Sequence, residues 1–111
     1  MVICKDKKEA VNARVAALAL DKEKKNLVNV NLTLNGVQTF EKADDAGVVT
    51  SVTIIHTVEK GAISTVSPTV RECVEGIVDA FTEDEILAGL PINIVTGISK
   101  NGRDFYQVIL M

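Results

Sequence analysis

A chain of 111 residues, 47% hydrophobic and 24% charged, has enough apolar material for a single core without metal or disulfide support, and its length points to one domain over residues 1–111. Its longest apolar runs, around residues 52–55 and 108–111, fall far short of the roughly 20 residues that span a bilayer, so no membrane is expected. The net charge of −3 argues against holding nucleic acid by bulk positive charge, yet the acidity is local: residues 61–90 hold Arg71 against Glu72, Glu75, Asp79, Glu83, Asp84 and Glu85, a net −5 that leaves +2 for the rest.

The charges of Lys5-Asp6-Lys7-Lys8 follow a very short apolar stub, the reverse of a secretion signal, and a cytoplasmic protein is expected. Asp6 and Glu9 have the spacing of an N-cap and its returning acid, and Ala10, Val11, Arg14, Val15 and Leu18 follow at helical spacing. A first helix is predicted over 7–20. The charged cluster 21–26 then reads as a solvated turn.

From Leu27 the period changes to two, with Val28, Val30, Leu32 and Leu34 on one side of a half-buried strand. Asn35-Gly36 tolerates the backbone of a tight hairpin, and Val37 to Glu41 would be the return strand; the alternative is a bulge in one long strand. After the loop 43–47, residues 48–58 are dense in β-branched side chains and make the best central strand. Glu59-Lys60-Gly61 turns into a short strand over 63–66, closing a β-rich region 27–66.

Ser67-Pro68 reads as an N-cap followed by proline at the first helical position, and Val70, Cys73, Val74, Ile77, Val78 and Phe81 trace the clearest amphipathic helix. Thr82 and Glu85 form a second capping box, so a shorter helix completes the helical region 68–89. Residues 92–98 and 104–111 are strands joined by Ser99-Lys100-Asn101-Gly102-Arg103, a β-hairpin over 92–111. The class is α+β: a small antiparallel β-barrel or curled sheet, with an N-terminal helix and an amphipathic helix between the strands.

Few residues point to chemistry. Cys4 and Cys73 are too few for zinc, and Cys73, on an apolar helix stripe, reads as a small core hydrophobe. His56 is the only histidine, and no nucleophile motif or orienting partner makes it a general base, so it reads as structural or solvent-facing. Asp44-Asp45 lack calcium-loop spacing, and Glu83-Asp84-Glu85 favour a helix start. No enzyme activity, metal or cofactor is expected.

The strongest candidates are Lys100, Arg103, Phe105 and Tyr106, cations beside rings on which an unstacked base can lie. Alternation places the two rings on opposite faces, with Phe105 as the exposed platform and Tyr106 buried. Phe40, Lys42 and Lys60, near neighbouring hairpin tips, would extend the patch. The order of strands and helix, with the closing hairpin Ile92-Asn93-Ile94-Val95-Thr96-Gly97-Ile98-Ser99-Lys100-Asn101-Gly102-Arg103-Asp104-Phe105-Tyr106-Gln107-Val108, resembles the small phage and plasmid OB-fold single-stranded DNA-binding proteins. That resemblance implies an OB-like module for DNA replication that binds single-stranded DNA without catalysis, and a homo-oligomer is expected because one small face of low charge binds weakly. The competing expectation is a phage or mobile-element accessory protein or inhibitor, in which Glu72, Glu75, Asp79 and Glu83 present an acidic helical face to a basic protein partner.

Overall fold

The computed structural model describes residues 1–111. Along the chain it contains β1 (Val2–Ile3), α1 (Lys7–Ala16), β2 (Leu18–Ala19), α2 (Leu20–Leu27), β3 (Asn31–Ala43), β4 (Val49–Thr57), β5 (Gly61–Thr65), α3 (Pro68–Ala80), α4 (Glu83–Ala88), β6 (Leu90–Ile98) and β7 (Asp104–Leu110). All the strands belong to one curled, open sheet in the order β2-β5-β4-β3-β6-β7, and β1 pairs with β3 outside that path. Every strand pairing is antiparallel except that of β2 with β5. The α+β class and the curled sheet are as expected. A closed barrel is not formed, because β7 pairs with β6 alone and β2 ends the sheet on the other side.

Asn35-Gly36 does not make the expected hairpin, since residues 31–43 form one strand of 13 residues. Leu34 faces Thr57 and Gly36 faces His56, which leaves Asn35 as the extra residue of a bulge. The reason lies in the spacing of the core residues. Leu32, Leu34 and Val37 all join the core, and a strand can turn two residues three apart to the same face only by inserting one. Gly36 serves a close approach rather than a turn: a Cβ there would lie 2.8 Å from the Ile3 carbonyl oxygen. At the bulge the edge of β3 also changes partner, from β6 along Asn31–Leu34 to β1 along Val37–Gln38.

The N-terminal region departs most from expectation. Asp6 caps α1 by accepting from the Lys8 amide at 2.8 Å, but the helix stops at Ala16 instead of residue 20, and Ala17 is extended. Leu18 and Ala19 leave the helix to pair in parallel with Ile63 and Ser64. The predicted turn at 21–26 is helical instead, because Leu20 and Leu27, 1% and 0% exposed, pin both ends of α2 into the core while its charges face water. The β3 strand consequently starts at Asn31, four residues later than predicted from Leu27.

The apolar stripe read on the first helix holds at Ala10 but fails at Val11 and Val15. Ala10 and Ala13 face the sheet, whereas Val11 and Val15 are 64% and 92% exposed. Alanines let the helix backbone come close enough for Gln38 of β3 to reach the Ala10 carbonyl. Close approach wins over the larger side chains.

The second half follows its sequence signals. Ser67 caps α3 by accepting from the Val70 amide, Thr82 and Glu85 form the reciprocal capping box of α4, and Gly89 ends that helix at φ 110°. Val70, Val74 and Ile77 are buried, with Cys73, Val78 and Phe81 packed partly against them. The inner face of the sheet carries Leu32, Leu34, Val37, Ile55, Ile63, Ile92 and Ile94, sealed by residues of α2, α3 and α4. The outer face alternates with it and carries Gly36, Gln38, Phe40, Val52, Ile54 and His56. No helix is long and apolar enough to cross a membrane.

Candidate functional site

Beyond the pair Asn31 and Asn93, β6 runs past the start of β3 and turns back as β7, so residues 99–103 project from that end of the sheet. The turn is closed by the Ser99 amide donating to the Arg103 carbonyl at 2.8 Å, and by the Gly102 amide donating to the Ser99 carbonyl at 2.9 Å. Gly102 takes φ 74°, which its missing Cβ permits. Lys100 and Arg103 are exposed on this turn, and neither meets a carboxylate; Arg71 with Glu75 is the only ion pair in the protein.

Phe105 follows directly and is half-buried. Its ring edge fills the space a side chain at Gly97 would need, since a Cβ there would lie 2.6 Å from Phe105 Cζ. The ring is therefore seated against β6 rather than fully uncovered, as its reading as an exposed platform required. Tyr106, expected to be buried, packs against the core from the opposite face but is only partly buried. Burial first, and the adjacent Asp21 carboxylate second, raise its hydroxyl pKa.

Two cations of this end escaped the reading of the sequence. Lys24 and Lys25, at the close of α2, border a shallow depression with Val28, Asn29 and Thr96, and Thr96 faces Tyr106 across the hairpin. The hydrophobic pair Leu20 and Leu27, seven apart, was the available signal that residues 21–26 form a helix and not a turn. Lys60 lies at the same end of the sheet, in the turn between β4 and β5. That turn is tied to β3 by Glu59, which accepts from the Thr33 amide at 2.7 Å and its hydroxyl at 2.8 Å. These hydrogen bonds lower the Glu59 pKa, and Glu59 forms no ion pair with Lys60.

Phe40 and Lys42 are not part of this cluster. They lie toward the opposite end of β3 from Asn31 and line a groove of about 430 Å³ on the outer face of the sheet, together with Arg14, Thr50, Val52 and Ser64. Here the structure brings together residues that the sequence keeps far apart. Arg14 Nε donates to Gln38 Oε1 at 3.0 Å, and its guanidinium carbon sits 4.5 Å from the centroid of the Phe40 ring. Gln38 Nε2 donates to the Ala10 carbonyl at 2.9 Å and lies 3.1 Å from His56 Nε2.

These contacts assign the protons. With its oxygen taken by Arg14, Gln38 can offer His56 only an N–H, so His56 Nε2 accepts and the ring proton sits on Nδ1. Burial lowers the His56 pKa against the opposing pull of Glu9, which keeps the ring neutral. Of the two alternatives read for His56, the solvent-facing one is excluded: the ring is 3% exposed and held by Gln38.

The four acids read as one helical face are divided. Glu72, Glu75 and Asp79 are exposed on α3, but the helix ends at Ala80 and Glu83 opens α4, so it does not continue their stripe. Glu75 is engaged with Arg71 at 3.0 Å, and Arg71 also donates to the Ser51 hydroxyl at 2.7 Å. Asp44 turns back on its own loop, where Oδ1 accepts from the Ala46 and Val48 amides. No three His, Cys, Asp or Glu side chains converge anywhere in the molecule.

No protein-family model, curated protein or solved structure matches this chain.

Proposed function

We propose that this chain is a non-enzymatic binding protein that holds single-stranded DNA at the end of its sheet where β3 begins. The observation that carries the reading is Lys100 and Arg103, unpaired on the β6–β7 turn next to the partly open ring of Phe105, with the unpaired Lys24 and Lys25 on the other, Tyr106-bearing face of the same hairpin beside Thr96. Cations without carboxylate partners are free to neutralise phosphates, and a half-exposed ring offers a face to one unstacked base. Lys60, on the far side of β3 at the same end, lies where the backbone would leave the patch.

The order of elements supports the same reading. The β3-β4-β5 meander, a helix, and the β6–β7 hairpin returning to the free edge of β3 resemble an OB-fold that has been left open. In OB-folds the loop joining the last two strands is one of those that bind oligonucleotides. Here that loop is residues 99–103.

The test is fluorescence anisotropy of a labelled single-stranded oligonucleotide, against the same sequence as duplex. If four phosphates are neutralised at about 0.7 per phosphate, the association constant should fall about 50-fold as salt rises about fourfold. The combined variant K100Q/R103Q/F105L should weaken binding at least about tenfold, since one base stack alone is worth about 1–3 kcal/mol. Absence of binding at low salt, or binding unchanged in the combined variant, rejects the proposal.

A further inference from the structure

The outer-face groove has no part in the proposed DNA contact, and its chemistry is that of a small-molecule site. Its floor is the Phe40 ring and Val52, its hydroxyls come from Thr50 and Ser64, and its cations are Arg14 and Lys42. Two carboxylates, Asp21 and Asp44, also border it. Asp44 accepts two amides of its own loop, and Asp21 lies against the Tyr106 hydroxyl. Neither forms an ion pair with Arg14 or Lys42, so although the lining is balanced in charge, the two cations have no direct carboxylate partner.

Arg14 is also held in place. Its Nε is taken by Gln38 Oε1, and Gln38 is in turn fixed by the Ala10 carbonyl and by His56, in a network where Gln38 is fully buried. The guanidinium stacks near Phe40, which leaves its two terminal nitrogens as the available donors. That end-on pair matches the two oxygens of a carboxylate. A volume of about 430 Å³ lies within the usual range of ligand pockets and leaves room for an apolar body over Val52.

We infer that this groove binds a small organic acid, its carboxylate between Arg14 and Lys42 and its apolar body on Phe40 and Val52. Gln38 is a positioning residue that acts through Arg14. The inference does not rest on the DNA reading.

The test is an NMR titration of the backbone amides with benzoate, with benzamide as the neutral isostere and inorganic phosphate as the anion without an apolar body. Benzoate should shift the amides of Phe40, Lys42, Thr50, Val52 and Ser64 saturably, while benzamide and phosphate leave them in place. R14Q should weaken benzoate about tenfold, the usual loss of a charged hydrogen bond. K42Q, at an exposed position that supports no other residue, should weaken it severalfold with the melting temperature unchanged, which separates loss of binding from loss of fold. K100Q/R103Q should bind benzoate as the unmodified protein does. The inference is overturned if benzoate shifts none of these amides, if benzamide or phosphate shifts them equally, or if R14Q and K42Q both bind benzoate unchanged.

Discussion

The two faces of the sheet are held by different physics. On the inner face Leu34, Val37, Ile55 and Ile63 are fully buried among aliphatic side chains from three helices, and any residue of the right size and shape would serve there. On the outer face Gln38 and His56 are as deeply buried, but they are held by directed hydrogen bonds to Ala10 and Arg14 under a single helix. The inner face tolerates exchange and resists cavities. The outer face tolerates neither a change of donor nor a change of protonation.

The largest effect should come from the inner face. I55A removes a fully buried side chain among neighbours fixed by two adjacent strands, and should cost about 4 kcal/mol in a urea unfolding series. A smaller loss, nearer that of an exposed site, would show that the inner face relaxes and is less sharply packed than its partner.

G36A tests the junction between the faces. Its new methyl would press on the Ile3 carbonyl, a backbone atom, and on His56 Cβ at 3.3 Å, at a cost of about 2 kcal/mol by the same measurement. Near-neutral stability would mean that β1 can shift away from the bulge without loss.

The third effect is a pH dependence confined to the outer face. Burial lowers the His56 pKa, so below about pH 6.5 the unfolded chain takes up a proton that the folded protein refuses. Stability is therefore fully present above that pH and falls as pH drops toward the folded pKa, by at most about 1.4 kcal/mol per pH unit. H56Q should abolish this part of the slope. If the slope persists undiminished in H56Q, the dependence belongs to carboxylates instead.

The smallest effect should come from V15S. Val15 is 92% exposed on the solvent side of α1, and the change should stay within about 0.5 kcal/mol. A loss several times larger would return Val15 to the core, where helical spacing alone had placed it.

That last case shows how far the sequence is legible. The caps at Ser67 and Thr82, the stripe of α3 and the closing hairpin are written in local signals, and they form where those signals lie. The bulge was legible only as an alternative, because Asn-Gly suits a hairpin as well, and the deciding fact is the three-residue step from Leu34 to Val37. Helix α2 was missed because five charges in six residues hide the two leucines that fix it. Of the site residues, Lys100, Arg103 and Phe105 are neighbours in sequence and remain neighbours in space. The groove was not legible. Arg14, Gln38 and His56 meet only because the alanine side of α1 is the one that lies down on the sheet, a choice made by tertiary packing against the pull of the valines.

The single Arg71–Glu75 contact has a practical consequence. With so little of the architecture dependent on opposite charges, ionic strength becomes a selective handle. A buffer concentrated enough to strip away a polyanion should leave the melting transition where it was, so an eluted sample would come off a column still intact.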